Sequence, residues 1–427
     1  MTEKALHTFD ASAERCILVG LYRSSEERWQ TEEHLDELRA LAETGEAEVI
    51  ETFIQERAKP DPAYFIGKGK IDEIALFLEM HKAELVIFDD ELSAAQARNI
   101  ENELQVKVID RAALILDIFA KHAHSNEART QVELAQLNYL LPRLTRQWQH
   151  LSRQVGGIGT KGPGETQLET DRRLVRTRIA HLKKQLNRIA RQKNTQRKQR
   201  QKMFSAALIG YTNAGKSTLL KALTGADVLV ENQLFATLDT TVRRFALSGQ
   251  TEILLSDTVG FIRKLPHHLV ASFQTTLAET LQADLLIHVV DIAHPFFREH
   301  IDVVRQLLSE LSLTDKRRML VFNKVDSLRN QQNQLAQIKA DYPEAIFISA
   351  SRHIGLKRLQ AQLLKIVESG YEFDEIRINF HSGAGEHLFY PLATILEKRA
   401  DEQYLYLKIK YEKEKREHIQ AIANKFK

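Results

Sequence analysis

The chain has 427 residues, of which 43% are hydrophobic and 27% charged, and its net charge is +3. This composition is typical of folded globular proteins, and the length favours about three or four structural units over a single core. No apolar run approaches the ~18 residues of a membrane span, and the N-terminus lacks a signal-peptide pattern. We therefore expect a monomeric cytoplasmic protein, with a loose association with membranes left open. The single cysteine, Cys16, excludes an internal disulfide and is expected to be a buried thiol.

Short apolar runs rich in β-branched residues alternate with helical segments over residues 1–124. The predicted strands are 16–22, 49–55, 85–89 and 106–109, and the predicted helices lie near 26–44, 69–82, 93–104 and 112–121. Because such alternation is typical of βα repeats, we expect a small α/β domain built on a parallel sheet.

One loop of this first domain, residues 61–70, contains two Gly-Lys pairs before a predicted helix. Backbone amides and lysines there can hold a phosphate, from RNA or from a second nucleotide. A capped turn explains the same residues equally well, because no Ser or Thr and no second motif accompanies them. The sequence leaves both interpretations open.

Residues 125–202 predict two helices that pack as an antiparallel hairpin. Leucines at heptad spacing mark both helices, and Pro142 is expected to kink the first. The heptad positions are Leu134, Leu137, Leu141, Leu144, Trp148 and Leu151 in the first helix, and Leu168, Val175, Ile179, Leu182, Leu186 and Ile189 in the second. The connection, residues 153–165, holds five glycines and two cations, more than a tight turn requires. We expect this tip to approach RNA; a simple linker is the alternative.

The second of these helices is strongly basic. Residues 172–202 contain thirteen Lys and Arg and no Asp or Glu. Such a charge run is usually a solvated face, but one this one-sided favours a polyanionic partner, and binding would weaken steeply with salt.

A glycine-rich loop follows the apolar run 204–209 and precedes a helical segment. It fits the pattern G-x-x-x-x-G-K-[ST], in which backbone amides and the helix N-terminus cradle phosphates and the lysine reaches the terminal phosphates. Its residues are Gly210, Tyr211, Thr212, Asn213, Ala214, Gly215, Lys216, Ser217 and Thr218. We expect Lys216 to be catalytic and Ser217 to ligate a magnesium ion.

Three further motifs end later apolar runs in the domain predicted over 203–371. They are Asp257, Thr258, Val259 and Gly260; then Asn323, Lys324, Val325 and Asp326; then Ser349, Ala350 and Ser351. Asp257 can hold a magnesium-bound water, and the Gly260 amide can reach a γ-phosphate. Asp326 can accept both edge donors of guanine, which adenine lacks, and the Ala350 amide can donate to guanine O6. Together these motifs predict a P-loop domain that binds and hydrolyses GTP.

A candidate magnesium-binding hydroxyl lies between the phosphate loop and Asp257. We expect Thr237 to ligate magnesium only while a γ-phosphate is present, which makes residues 229–245 a candidate switch loop. Its motif is Phe235, Ala236, Thr237, Leu238 and Asp239, and the rival hydroxyls are Thr224, Thr240 and Thr241. Phe261 follows Gly260, where many GTPases carry a water-orienting glutamine, so we expect slow intrinsic hydrolysis.

Residues 372–427 predict a small α+β domain. Segments 376–380 and 404–411 read as strands, and helices are expected near 384–399 and 413–426. The surface of this domain is charged, so either a binding face or a purely stabilising role is open. The fold class is thus α/β multidomain: a parallel α/β domain, a helical hairpin, a P-loop GTPase domain and an α+β domain.

The whole chain resembles the HflX-type GTPases of the translation-factor-related class. The resemblance rests on the GTPase motifs above, including Phe261, and most specifically on the block 152–173, in which Val155 replaces a usual glycine. It implies a magnesium-dependent GTPase that binds the large ribosomal subunit and splits stalled ribosomes under stress, with the tip loop reaching the peptidyl-transferase region. The alternative is a nucleotide-gated module that binds or remodels RNA and whose hydrolysis is incidental.

Overall fold

The computed structural model describes residues 14–24, 27–144, 167–198, 203–225, 234–235, 241–248, 251–264, 282–328, 332–379 and 386–424. These residues form three sheets and a pair of long helices. In chain order the helix pair follows the first sheet and precedes the second. None of the described helices is long and apolar enough to cross a membrane.

The first sheet has four parallel strands in the order β2-β1-β3-β4. The strands are β1 Glu14–Tyr22, β2 Ala47–Glu56, β3 Leu85–Phe88 and β4 Lys107–Asp110, and the helices are α1 Arg28–Thr44, α2 Lys68–His81, α3 Ala94–Leu104 and α4 Arg111–His122. The predicted βα repeats are confirmed. Cys16 is free and fully buried in β1, and burial raises the pKa of its thiol to about 12, so the thiol stays protonated.

Helices α5 Asn126–Leu140 and α6 Gln167–Lys198 pack through the predicted leucine seam. Glu133 pairs with Arg178, whereas Glu127 pairs with Lys193. The residue earlier in α5 thus contacts the residue later in α6, so the helices are antiparallel. The predicted kink at Pro142 is wrong, because α5 ends at Leu140 and a 3-10 turn follows. Proline lacks the N–H that would continue the helical ladder. Trp148, Leu151, Leu168's side chain and the tip 153–165 lie outside the described residues.

The second sheet carries the phosphate loop and has the order β10-β9-β8-β5-β7-β6, with only β6 antiparallel to its neighbour. Its strands are β5 Ser205–Ile209, β6 Thr241–Ser248, β7 Thr251–Asp257, β8 Leu285–Asp291, β9 Arg318–Asn323 and β10 Ile346–Phe347; its helices are α7 Lys216–Thr224, α8 Phe297–Glu310, α9 Gln332–Asp341 and α10 Leu356–Glu368. The loops that follow β5, β7 and β9 therefore converge at one edge of the sheet, as expected for a doubly wound fold.

The C-terminal part of the candidate switch loop is a strand. Residues 241–245 belong to β6, which pairs along its length with β7. Cross-strand pairing and the burial of Phe245 hold this segment in the sheet. Any switch loop is therefore confined to residues before Thr241.

The third sheet has the order β11-β13-β12, with strands β11 Tyr371–Asn379, β12 Thr394–Ala400 and β13 Tyr404–Glu412, and helix α11 Arg416–Asn424 packs on one face. The helix predicted near 384–399 is wrong over 394–400, which forms β12. Asp401 accepts backbone hydrogen bonds from Gln403 and Tyr404, and this turn folds β12 back onto β13. Pairing with β13 across this turn places the segment in the sheet.

Candidate nucleotide-binding site

The loop between β5 and α7 requires its two glycines. Gly210 has φ 151°, and a Cβ there would lie 2.2 Å from the carbonyl oxygen of Val289. Gly215 has φ 87°, and its Cβ would lie 2.3 Å from Asn323 Nδ2. Any side chain would force the loop away from β8 and β9, so the glycines hold its amides against the carboxyl ends of the strands.

Lys216, the first residue of α7, is buried at the mouth of this loop. Its Nζ donates to the carbonyl oxygens of Gly210 at 3.2 Å and Tyr211 at 2.8 Å. Burial lowers the pKa of Lys216 to about 8, and the nearby Asp257 carboxylate opposes that shift. A buried cation held by carbonyl oxygens alone is poorly neutralised, which suits it to an anionic ligand.

Ser217 and Asp257 meet across the site. The Ser217 hydroxyl donates to Asp257 Oδ2 at 2.6 Å, and Asp257 is fully buried at the end of β7. A hydroxyl and a carboxylate are the hard oxygen donors that Mg²⁺ prefers when phosphates and waters complete its shell. The two side chains therefore fit the magnesium ion that the sequence predicts.

Gly260 brings the loop after β7 against the phosphate loop. A Cβ at Gly260 would lie 2.7 Å from Thr212 Cα and 3.1 Å from Lys216 Nζ. Two backbone hydrogen bonds join the loops, from the Thr212 amide to the Phe261 carbonyl (2.7 Å) and from the Phe261 amide to the Gly210 carbonyl (3.0 Å). Gly260 thus lies against the phosphate loop and close to the ammonium group of Lys216, where a side chain would not fit.

The Phe261 ring points away from this site. It is 3% exposed and belongs to the hydrophobic cluster that contains Ile209 and Val304. A buried phenyl ring has no group that can orient water, so another residue or a partner must do so.

Asn323 joins three loops. Its Nδ2 donates to the Ala214 carbonyl at 2.9 Å, and its Oδ1 accepts from the Ala350 amide at 3.0 Å. The Ala350 amide, for which we expected guanine O6 as acceptor, is therefore bonded to Asn323 here. Next to it, the hydroxyls of Ser349 and Ser351 lie 3.3 Å apart, and Ser349 caps the turn by accepting from the Arg352 amide.

Asp326 presents a buried oxygen that lacks a partner among the described residues. Its Oδ1 is inaccessible and makes no hydrogen bond, although the side chain as a whole is only half-buried. The preceding Lys324 adopts φ 63° and pairs with Asp291 at 2.7 Å. The Val325 amide donates to the Ile348 carbonyl and fixes the loop. An unsatisfied carboxylate oxygen is costly, and the N–H donors of a base would satisfy it.

The remaining predicted residues divide between described and undescribed parts of the chain. Asn213 is exposed with φ 56°, Thr218 is half-buried, and Thr258 is buried with its hydroxyl on the Leu208 carbonyl. The predicted switch residues Ala236, Thr237, Leu238 and Asp239 lie outside the described residues. Phe235 is described: its amide donates to the Thr212 hydroxyl at 3.1 Å.

The N-terminal domain packs against the nucleotide loops, which the sequence alone did not predict. The Tyr211 hydroxyl donates to Glu37 of α1 and accepts from the Arg263 amide at 3.0 Å. The Phe235 ring meets the Phe119 ring edge-on, with 4.6 Å between centroids. Val259 is also part of this shared core. The contacts of Tyr211 with Glu37 and of Phe235 with Phe119 join residues more than a hundred positions apart, so no local pattern signals them.

The loop 61–70 looks like a capped turn in the structure. Lys68 pairs with Glu103, and Lys70 pairs with Glu73 at 2.6 Å. Asp61 accepts from the backbone amides of Ala63 and Tyr64, which closes the turn. Both lysines are already matched by carboxylates, so the second phosphate site has no support from these contacts.

The doubly wound sheet carries a glycine loop with the buried Lys216, the Ser217–Asp257 pair and the unsatisfied Asp326 carboxylate. This arrangement is that of a P-loop GTPase. Family models match residues 32–120 ("GTP-binding GTPase N-terminal"), 122–200 ("GTP-binding GTPase Middle Region") and 205–324 ("50S ribosome-binding GTPase").

Curated relatives identify the family. The chain is 51% identical over 317 residues to "GTPase HflX" of Flavobacterium psychrophilum, covering 74% of this chain and 76% of the relative. It is 42% identical over 389 residues to "GTPase HflX" of Escherichia coli, covering 91% and 90%. A solved GTP-binding protein of Sulfolobus solfataricus in complex with GDP is 24% identical, covering 82% of this chain and 99% of that chain, with a TM-score of 0.42. The chain belongs to the HflX GTPase family and hydrolyses GTP.

Proposed function

We propose that this GTPase binds the large ribosomal subunit in the cytoplasm and splits ribosomes, with GTP binding gating its docking and hydrolysis permitting its release. The observation that carries the proposal is the position of the basic helix. Helix α6 ends at Lys198 and β5, which leads into the phosphate loop, begins at Ser205. A change at the nucleotide is therefore a short distance along the chain from a polycationic surface.

The basic helix keeps much of its charge facing solvent. Arg178 is committed to Glu133 through two hydrogen bonds of 2.6 and 2.8 Å, and Lys193 pairs with Glu127. Other cations of α6 are exposed: Arg176, Lys183, Lys184 and Arg188. Exposed arginines and lysines on one long helix are the electrostatic footprint of binding to a nucleic-acid backbone.

In this proposal each motif of the nucleotide site has its own role. The loop from Gly210 to Thr218 cradles the phosphates, Lys216 contacts the β- and γ-phosphates, and Asp326 recognises guanine through its carboxylate. Ser217, Asp257 and, in the GTP state, Thr237 would hold a magnesium ion, Asp257 through a water molecule, and the ion would supply positive charge beside the phosphates. Lys216, Thr237 and the Gly260 amide form the proposed catalytic set.

Each domain has a separate role in this proposal. Residues 203–371 bind and hydrolyse GTP, the hairpin 125–202 enters the ribosome, and domains 1–124 and 372–427 flank them. The tip 153–165 supplies five glycines and two cations for contact with ribosomal RNA. Residues 205–324 match the family model of a 50S ribosome-binding GTPase, which supports the large subunit as partner.

The test is GTP hydrolysis with and without purified large subunits. Because the Phe261 ring is buried in the core and cannot orient water, we expect slow hydrolysis alone and stimulation of about 10²-fold or more when a partner orders the water. Small subunits at equal concentration are the control. No stimulation by large subunits at low salt would contradict the proposal and favour an RNA-binding module with incidental hydrolysis.

A further inference from the structure

The C-terminal sheet has one covered face and one open face. The side chains of Ile376, Leu407 and Ile409 point into the core beneath α11. Alternation along a strand places the intervening residues on the opposite face. At one end of that opposite face, Tyr371 and Lys410 approach the GTPase domain, where Lys410 donates to the Thr251 hydroxyl at 3.3 Å. The other end has no such neighbour among the described residues.

This open end carries aromatic rings beside guanidinium groups. Tyr406 is the middle member of a row across the three strands, with Arg377 opposite it on β11 and Arg399 opposite it on β12. Tyr404 lies two residues away on the same face. Its ring is 6.5 Å from that of Tyr406 and 4.4 Å from the Arg377 guanidinium. Both arginines are exposed, and both tyrosines are half-buried.

The next row contains Lys408, whose positive charge is partly balanced by acidic neighbours. Lys408 is exposed and lies opposite Glu375 on β11 and Glu397 on β12. Arg399 also contacts Glu397, at 2.5 Å. Asp401 adds a third carboxylate, because its side chain hydrogen-bonds to Tyr406 and lies near Arg377. The three cations are therefore matched by three acids, and the face has no net positive charge. Charge alone would bind an anion poorly here, so the rings rather than the cations must supply selectivity.

We propose that this open end, Arg377, Arg399, Tyr404, Tyr406 and Lys408, is a stacking platform for single-stranded RNA. Two rings on alternate residues of one strand are spaced like the aromatic pairs on which sheet-based RNA-binding modules stack adjacent bases. Guanidinium groups on either side extend the stack and meet the phosphates. The proposal goes beyond ribosome splitting, because it concerns unpaired bases and requires neither the hairpin nor GTP.

The experiment uses the full chain, a fluorescent twelve-residue oligouridine and an abasic oligomer of equal length and charge. The parent protein should prefer the oligouridine, because an abasic backbone meets the cations of α6 equally well but cannot stack. Tyr406→Ala should lower the affinity for oligouridine by at least about fivefold, leave the affinity for the abasic oligomer unchanged, and leave the salt dependence unchanged.

Three further variants sharpen the test. Tyr406→Phe retains the ring and should retain the preference, which excludes a general effect of mutating a half-buried position. Tyr390→Ala removes an exposed tyrosine of the same domain that lies outside the three strands and should change nothing. Arg377→Ala should lower affinity and reduce the salt slope by about one.

Two outcomes would overturn the proposal. One is equal binding of oligouridine and the abasic oligomer by the parent protein. The other is an unchanged base preference in Tyr404→Ala and Tyr406→Ala; if those variants then lost binding to ribosomes, the face would bind them by contacts other than base stacking.

Discussion

Lys264 ties the loop after β7 to the N-terminal domain: its Nζ lies 2.5 Å from Asp89 Oδ2 and 2.6 Å from Asp90 Oδ1. Asp89 is almost fully buried and also accepts from Arg111 at 2.7 Å. Burial raises the pKa of Asp89 to about 6, and Lys264 opposes that shift. A residue four positions after Gly260 therefore helps to keep Asp89 charged and joins this loop to the N-terminal domain.

Removing this tie should weaken the interface between the domains. Lys264→Met leaves Asp89 with one cation, and because Lys264 is about one-third exposed we expect a cost of roughly 1–3 kcal/mol. Trp29 reports on the interface, because its ring stacks on Phe296 of the GTPase domain with 5.4 Å between centroids.

The measurement is thermal unfolding followed by Trp29 fluorescence in a background carrying Trp148→Phe, which leaves Trp29 as the only tryptophan. Lys264→Met should lower the transition temperature. Arg298→Met removes an exposed ion pair with Asp341 within the GTPase domain and should change it little. Equal transitions in both variants would show that the Lys264 contact does not hold the domains together.

Base recognition should depend on Asp326. Asp326→Asn removes a charged acceptor for guanine N1–H and the 2-amino group, at a cost of about 2–4 kcal/mol in GTP binding. Asparagine offers an N–H donor in the same place, which suits the 2-oxo group of xanthine, so the variant should gain affinity for XTP. Fluorescent nucleotide titration measures both. Unchanged GTP affinity, or a preference of the parent for ATP, would contradict the guanine assignment.

Nucleotide binding should take up a proton at mildly alkaline pH. Burial holds the pKa of Lys216 at about 8 in the protein alone. Phosphates favour the charged ammonium and raise that pKa, so at pH 8.5 about 0.7 proton should be absorbed per nucleotide bound, and roughly 0.1 at pH 7. Calorimetry of GDP binding in two buffers of different ionisation enthalpy measures this. No difference between pH 7 and 8.5 would show that Lys216 is charged before the nucleotide arrives. Lys216→Ala should abolish tight binding.

Phe261 should tolerate glutamine poorly. Phe261→Gln places an amide among Ile209, Leu286 and Val304 without known partners, so we expect a loss of about 2–5 kcal/mol in unfolding free energy and no faster hydrolysis. Denaturant unfolding and phosphate release are the measurements. A stable variant with faster intrinsic hydrolysis would mean that residue 261 faces the attacking water after all.

Local patterns in the sequence predicted much of the fold and the site. The spacing of Gly210, Gly215 and Lys216 indicates the phosphate loop because the geometry depends on neighbouring residues. The leucine seam of α5 and α6 follows from heptads in the same way. By contrast, the sequence predicted a helix where β12 lies. The segment is a strand because it pairs with β13, which follows it in the chain and is not part of its local pattern.

Contacts distant in sequence account for what was missed. Tyr211 and Glu37 are 174 residues apart, and neither lies in a pattern that signals the other. The direction of the Phe261 ring likewise depends on α8 and β8, which supply its neighbours. The sequence predicted that Phe261 cannot orient water, but not that its ring packs in the core.

The central claim, that the hairpin acts on ribosomes under the control of GTP, is tested most directly by sucrose-gradient profiles of ribosomes incubated with protein and GTP. The key variant replaces residues 156–164 with a short Gly/Ser turn, which spares the seam of Leu134, Ile179 and Leu182. Its GTP affinity should match that of the parent, since the nucleotide loops lie elsewhere. We predict that the parent converts ribosomes into separate subunits and that the tip variant does not, although it still binds large subunits partly through α6. A tip variant that splits ribosomes as well as the parent would contradict the account.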